Sequence, residues 1–251
     1  MSIAQYHRHE IFGTHNVRDL GGYETEEGRV TKSERFIRSD SLHRIQKEGI
    51  DYLIRRNLAT VIDLRTKTEL IDEPNPLSRV RGIKFLNLPL LDNLAPNFLG
   101  TLEIEQPSDD PLLLFYLSAL HKRQFAIREI FSAMSEAAPG LILFNCTAGK
   151  DRTGIISALL LGLVKVPKID IIRNYADSEL LITELVDEFL ERSRQRGGDT
   201  NSYAQMLRCP PETMATALES IVKKYSNIYT YLKHVGLSEV DLKKLSDRLV
   251  G

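Results

Sequence analysis

The strongest constraint on the fold is a nine-residue loop between two apolar segments. The loop reads Cys-Thr-Ala-Gly-Lys-Asp-Arg-Thr-Gly over residues 146–154; it follows the apolar run 141–145 and precedes a longer apolar run, 155–164. A short apolar run that ends in a glycine-containing turn is typical of a buried strand, and the longer run fits a buried helix. The pattern therefore predicts a strand, then a tight loop, and then a helix, and the helix is expected over residues 153–165.

The residue types in this loop suit a bound phosphoryl group. The unpaired N–H groups and the dipole of a helix N-terminus favour an anion, and the planar fork of Arg152 binds two oxygens at once. The same positive charges favour a thiolate at Cys146, whose ordinary pKa of about 8.5 must fall before the sulfur attacks. We predict that Cys146 attacks phosphorus and that water hydrolyses the cysteinyl-phosphate. The predicted phosphate-binding residues are Thr147, Ala148, Gly149, Lys150, Asp151 and Arg152.

Other thiol and nucleotide chemistries fit the loop less well. Cys-x5-Arg alone is a weak signal, and a buried structural cysteine is a common alternative, but it leaves Gly-Lys-Asp-Arg between two apolar runs unexplained. A Walker A loop would need glycine at Phe144 and Ser or Thr at Asp151, and no G-x-G-x-x-G follows a predicted strand. A papain-like site stays formally open because the chain has six histidines, but the arginine-bearing loop disfavours it.

With these residues the chain resembles the protein tyrosine phosphatase superfamily. It is similar in particular to the bacterial-type tyrosine/dual-specificity phosphatases whose loop reads His-Cys-x-x-Gly-Lys-Asp-Arg-Thr-Gly. The segment 16–22, Asn-Val-Arg-Asp-Leu-Gly-Gly, resembles that family's Asn-Phe-Arg-Asp-Leu-Gly-Gly element, and residues 61–65 resemble its Ile-Asp-Leu-Arg strand. Residues 38–40 and the C-terminal segments 229–232 and 237–239 also fit, so the resemblance covers nearly the whole chain.

One loop residue departs from the family pattern. Asn145 precedes the nucleophile, where the family often has a histidine that organises the loop and favours the thiolate. Asparagine still forms hydrogen bonds but cannot become cationic. We expect a working enzyme in which the pKa of the Cys146 thiol is depressed less than a histidine would allow.

The general acid is the part of the site that the sequence leaves open. Cleavage of a phosphate ester needs a proton on the leaving oxygen, and a carboxylic acid suits that role. The resemblance implies Asp151, which lies inside the loop. Asp63 is the alternative because it ends a predicted parallel strand, and Asp92, Asp109 and Asp110 fall in an irregular stretch.

Several neighbouring residues have candidate supporting roles. Thr153 could donate its hydroxyl to the departing thiolate. Lys150 either pairs structurally with Asp151 or serves as a second cation for a substrate with more than one phosphate, such as a phosphoinositide. Arg18 and Asp19 are predicted to brace the phosphate loop by hydrogen bonds.

The arrangement of apolar runs predicts an α/β fold with a parallel-rich central sheet flanked by helices. The resemblance makes it phosphotyrosine-phosphatase-like, and the length fits a single phosphatase domain over residues 1–251. We predict strands at 35–38, 60–64, 84–88 and 141–144, and helices at 42–56, 112–137 and 169–194. Residues 91–137 form a predicted lid-like and helical insertion, with the lid at 91–110, and residues 153–251 a helical part that ends in a helix capped at Ser238.

Composition limits the partners. A net charge of −1 gives no basic field for nucleic acid, and no apolar run reaches the length of a membrane span, so we expect no nucleic acid and no stable membrane insertion. Cys146 and Cys209 are the only cysteines, which favours a reducing compartment; without a signal peptide pattern we expect the cytoplasm, with non-classical export left open. His7 and His9 are weak metal ligands near a terminus, so we predict no metal and no cofactor.

These observations predict a cysteine-dependent phosphomonoesterase. Its expected substrate is a phosphotyrosine-containing protein, with dual or phosphoinositide specificity left open. The first alternative is a phosphate- or phosphoinositide-binding module with weak or no turnover, and the second is sulfur or arsenate chemistry on a similar cysteine loop. The sequence does not define the oligomeric state.

Overall fold

A computed structural model of the chain describes residues 8–91 and 110–251. In this part of the chain five strands form one sheet in the order β1-β2-β5-β3-β4, with β1 antiparallel and the other neighbours parallel. The strands are β1 (Arg18–Asp19), β2 (Phe36–Ser39), β3 (Leu58–Asp63), β4 (Lys84–Asn87) and β5 (Leu141–Asn145).

The central strand β5 is buried along its whole length. Its side chains alternate between the two faces of the sheet, as strand geometry requires. Ile142 and Phe144 join the larger apolar cluster, whereas Leu141 and Leu143 join a smaller cluster on the opposite face. A continuous apolar run is therefore stable as a strand here because helices or loops cover both faces.

Helices surround this sheet and make up the regular structure after β5. Two precede the residues that the structure does not describe: α1 (Lys47–Arg55) and α2 (Lys67–Asp72). Two more lie before β5: α3 (Pro111–Lys122) and α4 (Gln124–Ser135). After β5 come α5 (Asp151–Leu163), α6 (Lys168–Ala176), α7 (Ser178–Leu181), α8 (Thr183–Gln195), α9 (Thr200–Leu207), α10 (Pro211–Tyr225), α11 (Ile228–Val235) and α12 (Glu239–Val250).

The predicted fold class is confirmed: the sheet is mostly parallel, helices flank it, and the C-terminal part is helical. The helix boundaries differ in three places. The helix predicted over 42–56 begins only at Lys47, because Leu42 and Ile45 pack into the smaller core cluster before the first turn. The helix predicted over 112–137 is broken at Arg123, whose side chain donates to the carbonyl of Leu90.

The helix predicted over 169–194 is three helices, α6, α7 and α8. They are separated at Asp177 and at Ile182, which is fully buried in a third apolar cluster. The last helix, α12, begins at the predicted capping box, since Ser238 and Asp241 accept each other's backbone N–H. The lid-like segment predicted at 91–110, including Asp92 and Asp109, lies outside the described residues except for Leu91 and Asp110.

Candidate active site

The loop after β5 lies at the edge of the sheet where the parallel strands end. Asn145 is in register with Ser39 of β2 and Asp63 of β3, so Cys146 follows between the ends of two neighbouring strands. Parallel sheets place ligands outside these carboxyl ends. Cys146 is 2% exposed, and α5 begins only five residues later at Asp151. The predicted strand, loop and helix are all present.

The carbonyl groups of the loop point outward and are held there. The carbonyl of Thr147 accepts from the N–H of Ser41 at 2.9 Å. The Asn16 amide donates to the carbonyls of Ala148 and Gly149 at 3.0 and 3.1 Å, and Arg38 also donates to Gly149. Within the described residues, the N–H groups from residue 147 to residue 152 donate no hydrogen bond. These N–H groups and the N-terminus of α5 therefore form a site for an anion.

Asn16 and Arg38 contact this loop, whereas Arg18 and Asp19, which were expected to brace it, have their hydrogen bonds elsewhere. Arg18 donates from Nε to Asn16 Oδ1 at 3.1 Å and so supports the loop through Asn16. Asp19 accepts from the N–H groups of Gly21 and Glu34, so it stabilises the backbone that follows β1 and precedes β2. The sheet order explains the difference, because β2, which carries Arg38, lies between β1 and β5.

Gly149 is a position that other residues do not fit. Its φ is +66°, and a Cβ atom there would lie 2.6 Å from the N atom of Asp40 and 2.7 Å from the carbonyl of Ser39. We expect Gly149→Ala to combine a left-handed backbone penalty of about 1 kcal/mol with displacement of the loop from β2.

Gly28 provides the matched control for that prediction. Its φ is +73°, but a Cβ atom there would meet nothing within 4 Å. Urea unfolding should therefore show a larger loss of stability for Gly149→Ala than for Gly28→Ala, because only the first clashes with backbone. Equal losses would contradict a tight approach of the loop to β2.

Arg152 is held by a carboxylate that sequence reasoning missed. Nη1 and Nη2 of Arg152 donate to the two oxygens of Glu69 at 2.7 and 2.8 Å, and Nη2 also reaches the Thr147 hydroxyl at 3.0 Å. Nε of Arg152 has no protein acceptor within the described residues. One edge of the guanidinium is therefore fixed by protein, and the Nε edge stays available for phosphate oxygens.

The Glu69 carboxylate is ionised in this arrangement. Burial by itself would raise its pKa, but the hydrogen bond and charge of Arg152 outweigh burial and lower the pKa to about 2. Glu69 also accepts from the backbone N–H of Thr66, the N-cap of α2, in a capping box. The pattern Thr-x-x-Glu directly after β3 is the sequence signal that could have located this residue.

Asp151 contacts two donors in the site. Its Oδ1 accepts from the hydroxyl of Tyr116 at 3.0 Å and lies 3.1 Å from Lys150 Nζ. Nζ of Lys150 also donates to the carbonyl of Met206, and the lysine side chain is 1% exposed. The structural interpretation of Lys150 thus accounts for its contacts. Tyr116 was missed because it is 35 residues away in the chain.

Asp63, the alternative acid, is fully buried, and both of its carboxylate oxygens already accept hydrogen bonds. Its two oxygens accept from Nε and Nη2 of Arg65 at 2.8 to 3.2 Å, and Oδ2 also accepts from Asn75 at 3.1 Å. A carboxylate with these partners holds the end of β3 in place, and protonating it to make an acid would disrupt four side-chain hydrogen bonds. The geometry favours Asp151 over Asp63 as the acid.

Asn145 and Thr153 both carry buried polar atoms without a partner among the described residues. Asn145 Nδ2 lies 3.5 Å from the carbonyl of Cys146, whereas its Oδ1 accepts nothing. Thr153 Oγ1 has no hydrogen-bond partner, although the residue is fully buried in the first turn of α5. Buried hydroxyls normally have a partner, so Thr153 is available to a group in the loop.

Helices after α6 cover one side of the loop. Ala148 packs against the third apolar cluster, which includes Leu185 of α8 and Leu207 of α9. Ion pairs join α8 to the residues beside the site, including Arg44 with Glu188. These helices form a cover that the sequence did not suggest, since the predicted lid was at 91–110.

His9, one of two histidines considered as weak metal ligands, lies beside a tyrosine and a carboxylate. His9 lies 2.6 Å from the hydroxyl of Tyr52 and 3.6 Å from Asp19, and His7 lies outside the described residues. No helix in residues 8–91 or 110–251 combines the length and the apolar character that crossing a bilayer requires.

The fold defines an α/β protein with a mostly parallel sheet and, at the edge of that sheet, a loop that carries a buried thiol and an arginine. Residues 9–251 match the model of a family described as the tyrosine phosphatase family, and the chain belongs to that family. This match confirms the resemblance to tyrosine phosphatases.

Two curated relatives agree with this family. The chain is 29% identical over 219 residues to a tyrosine-protein phosphatase of Nostoc commune, covering 85% of this chain and 74% of the relative. It is 24% identical over 279 aligned positions to the triple specificity protein phosphatase PtpB of Mycobacterium tuberculosis, covering 96% and 99%. Among solved structures, Pseudomonas aeruginosa TpbA overlaps with a TM-score of 0.31 at 16% identity, over 71% of this chain and 88% of that one.

Proposed function

We propose that this chain hydrolyses phosphotyrosine in proteins through a cysteinyl-phosphate on Cys146. The observation that carries the proposal is the loop itself. Its carbonyl groups accept hydrogen bonds from residues outside the loop, whereas its N–H groups have no partner within the described residues. The Nε edge of Arg152 has no acceptor among these residues and can therefore bind phosphate oxygens. A phosphoryl group bound by these donors lies at the end of β5, where Cys146 is placed.

In the first step, the thiolate of Cys146 attacks phosphorus. The S–P bond forms as the bond from phosphorus to the tyrosine oxygen breaks. Arg152 and the loop N–H groups stabilise the charge on the three equatorial oxygens, which do not leave. Asp151 gives its proton to the departing phenol oxygen and becomes a carboxylate.

In the second step, water attacks the phosphorus of the cysteinyl-phosphate. The P–O bond forms, the S–P bond breaks, and the carboxylate of Asp151 takes the proton that water loses. The sulfur leaves as a thiolate, and the unpaired hydroxyl of Thr153 is the donor that stabilises it. Inorganic phosphate is released and Asp151 is again protonated.

The depth of the thiol supports phosphotyrosine as the preferred substrate. Cys146 and Arg152 are 2% and 5% exposed, so a substrate must reach inward to meet them. A phosphorylated tyrosine extends an aromatic ring further from its backbone than a phosphorylated serine or threonine does. Lys150 is engaged by Met206 and Asp151 and offers no open cation for a second phosphate.

Initial rates on three substrates test this proposal. We compare a phosphotyrosine peptide, the same peptide with phosphothreonine at that position, and a short-chain phosphoinositide, with an enzyme that lacks the Cys146 thiol as the blank. We expect the phosphotyrosine peptide to have a kcat/KM at least about tenfold higher than the others.

The other outcomes of this comparison are informative. Equal or faster turnover of the phosphoinositide or of the phosphothreonine peptide would replace the substrate assignment with the broader specificity that the name of PtpB states for that relative. Phosphate binding without turnover of any substrate would favour the binding module and reject the enzyme.

A further inference from the structure

The carboxylate of Asp151 is held asymmetrically. Its Oδ1 faces both the Tyr116 hydroxyl and Lys150 Nζ, at 3.0 and 3.1 Å. No described residue donates a hydrogen bond to Oδ2. A lysine ammonium has donors and no acceptor, so a proton on Oδ1 would face a group that cannot receive it.

We propose that Tyr116 is the positioning residue of this acid: its hydroxyl holds Oδ1 and leaves Oδ2 as the oxygen that carries the proton to the leaving group. The inference rests on the proposed function, in which Asp151 is the acid. It adds a residue from a different helix, α3, to the machinery of the loop. Tyr116 does not touch the substrate and acts only through Asp151.

Tyr116 is well fixed for this task. The residue is fully buried, and its ring makes an edge-to-face contact with the Tyr175 ring at 5.7 Å. The Tyr175 ring in turn lies against Gly154 of α5, where a Cβ atom would come within 3.3 Å of it. Asp110 caps the start of α3 by accepting from the N–H of Leu112. The contact with Tyr175 and the capped start of α3 therefore hold the Tyr116 hydroxyl beside Asp151.

The Tyr116 hydroxyl stays a donor over the working pH range. Burial first, and then the charge of Asp151, raise its pKa well above the ordinary value for tyrosine. Other titratable or charged groups act on Asp151 from several elements of the described chain. They are Lys150 and Arg152 beside it, Tyr175 of α6, Tyr203 of α9 and Cys209 before α10.

Three of these neighbours, Cys209, Tyr175 and Tyr203, stay protonated in the neutral pH range. Burial raises the pKa of Cys209 to about 12 and also raises the pKa values of Tyr175 and Tyr203. Loss of the Tyr116 hydroxyl should therefore act on the titration of Asp151 alone. A donor to a carboxylate favours its charged form, so removing the Tyr116 hydroxyl favours the protonated form of the acid.

Tyr116→Phe tests the inference because it keeps the ring and removes only the hydroxyl. Asp151 must be protonated to act as the acid, so a higher pKa moves the basic limb of the kcat profile upward. We expect a shift of about one pH unit with a phosphotyrosine peptide. Replacing Tyr116 with 3-fluorotyrosine, a stronger donor, is expected to move the same limb downward.

Tyr231→Phe is the matched control. Tyr231 is also fully buried, and its hydroxyl donates to the carbonyl of Leu120 on the same helix, α3. Both variants remove a buried hydroxyl that anchors α3, but only Tyr116 contacts Asp151. We expect the basic limb of Tyr231→Phe to match that of the wild type.

A titration of the Asp151 side-chain carbon by NMR gives a second readout that needs no turnover. An upward shift in Tyr116→Phe together with the moved limb supports the inference. If Asp151→Asn removes the limb while Tyr116→Phe moves neither readout, the inference is overturned and the proposed function stands. If Asp151→Asn leaves the limb intact, Asp151 is not the acid and the inference is also overturned, while dependence on Cys146 decides separately whether the chain is a phosphatase.

Discussion

Serine in place of Cys146 is expected to lower kcat on a phosphotyrosine peptide by at least about a thousandfold. A serine hydroxyl is a weak nucleophile unless a base removes its proton, and no histidine in the described chain forms a hydrogen bond with this loop. The loop N–H groups and Arg152 remain, so phosphate binding should survive. Stopped assays measure the first effect, and calorimetry with inorganic phosphate measures the second.

Cys209→Ala controls for the loss of a buried thiol. Cys209 is also buried, but burial raises its pKa to about 12, so it holds its proton at neutral pH. We expect this variant to keep turnover close to that of the wild type. Turnover that persists in Cys146→Ser, or that disappears equally in both variants, would contradict a nucleophile at Cys146.

Arg152→Lys is expected to lower kcat/KM by about a hundredfold to a thousandfold. Lysine keeps the positive charge but has no planar fork, so it cannot hold Glu69 on one edge and phosphate on another. Kinetics on an aryl phosphate with a good leaving group isolate this effect, because that substrate depends little on the acid. A loss of less than about tenfold would mean that charge alone suffices at this position.

Glu69→Gln tests whether the carboxylate positions Arg152. A glutamine side chain has one acceptor oxygen, so it cannot accept both hydrogen bonds that the two carboxylate oxygens accept from Arg152. We expect kcat/KM to fall by less than in Arg152→Lys. The double variant should lose less kcat/KM than the product of the two separate fold-losses, because both substitutions act on one ion pair. Asp72→Asn is the control on the same helix, since Asp72 is exposed and its one ion pair within residues 8–91 and 110–251 is with Arg196, at 3.8 Å. We expect it to match the wild type.

The local parts of the site could be predicted because they are contiguous in the chain. Cys146 follows an apolar strand and Arg152 lies in the first turn of a helix, and both features follow from periodicity and from turn residues. The capping box at Ser238 is local in the same way. Helix interruptions were missed at Arg123 and Ile182 because buried contacts, and no Gly or Pro, decide them.

Residues that complete the site could not be predicted in this way. Glu69 is 83 positions from Arg152, Asn16 is 132 from Ala148, and Tyr116 is 35 from Asp151. Nothing in a short window of sequence links such pairs. Arg18 reaches the loop only through Asn16 for a related reason, since the strand order, which places β2 between β1 and β5, could not be predicted from the segment 16–22.

The sequence by itself determined the thiol, the arginine and the backbone that joins them, because they lie within seven consecutive residues that directly follow a buried strand. Tertiary structure alone decided which groups hold that loop in shape. The parallel sheet places β2 and β3 on either side of β5, which brings Arg38 to one side of the loop and the helix that carries Glu69 to the other. Charges and hydroxyls act over a few ångströms, so their partners are set by the packing of the sheet and helices and not by distance along the chain.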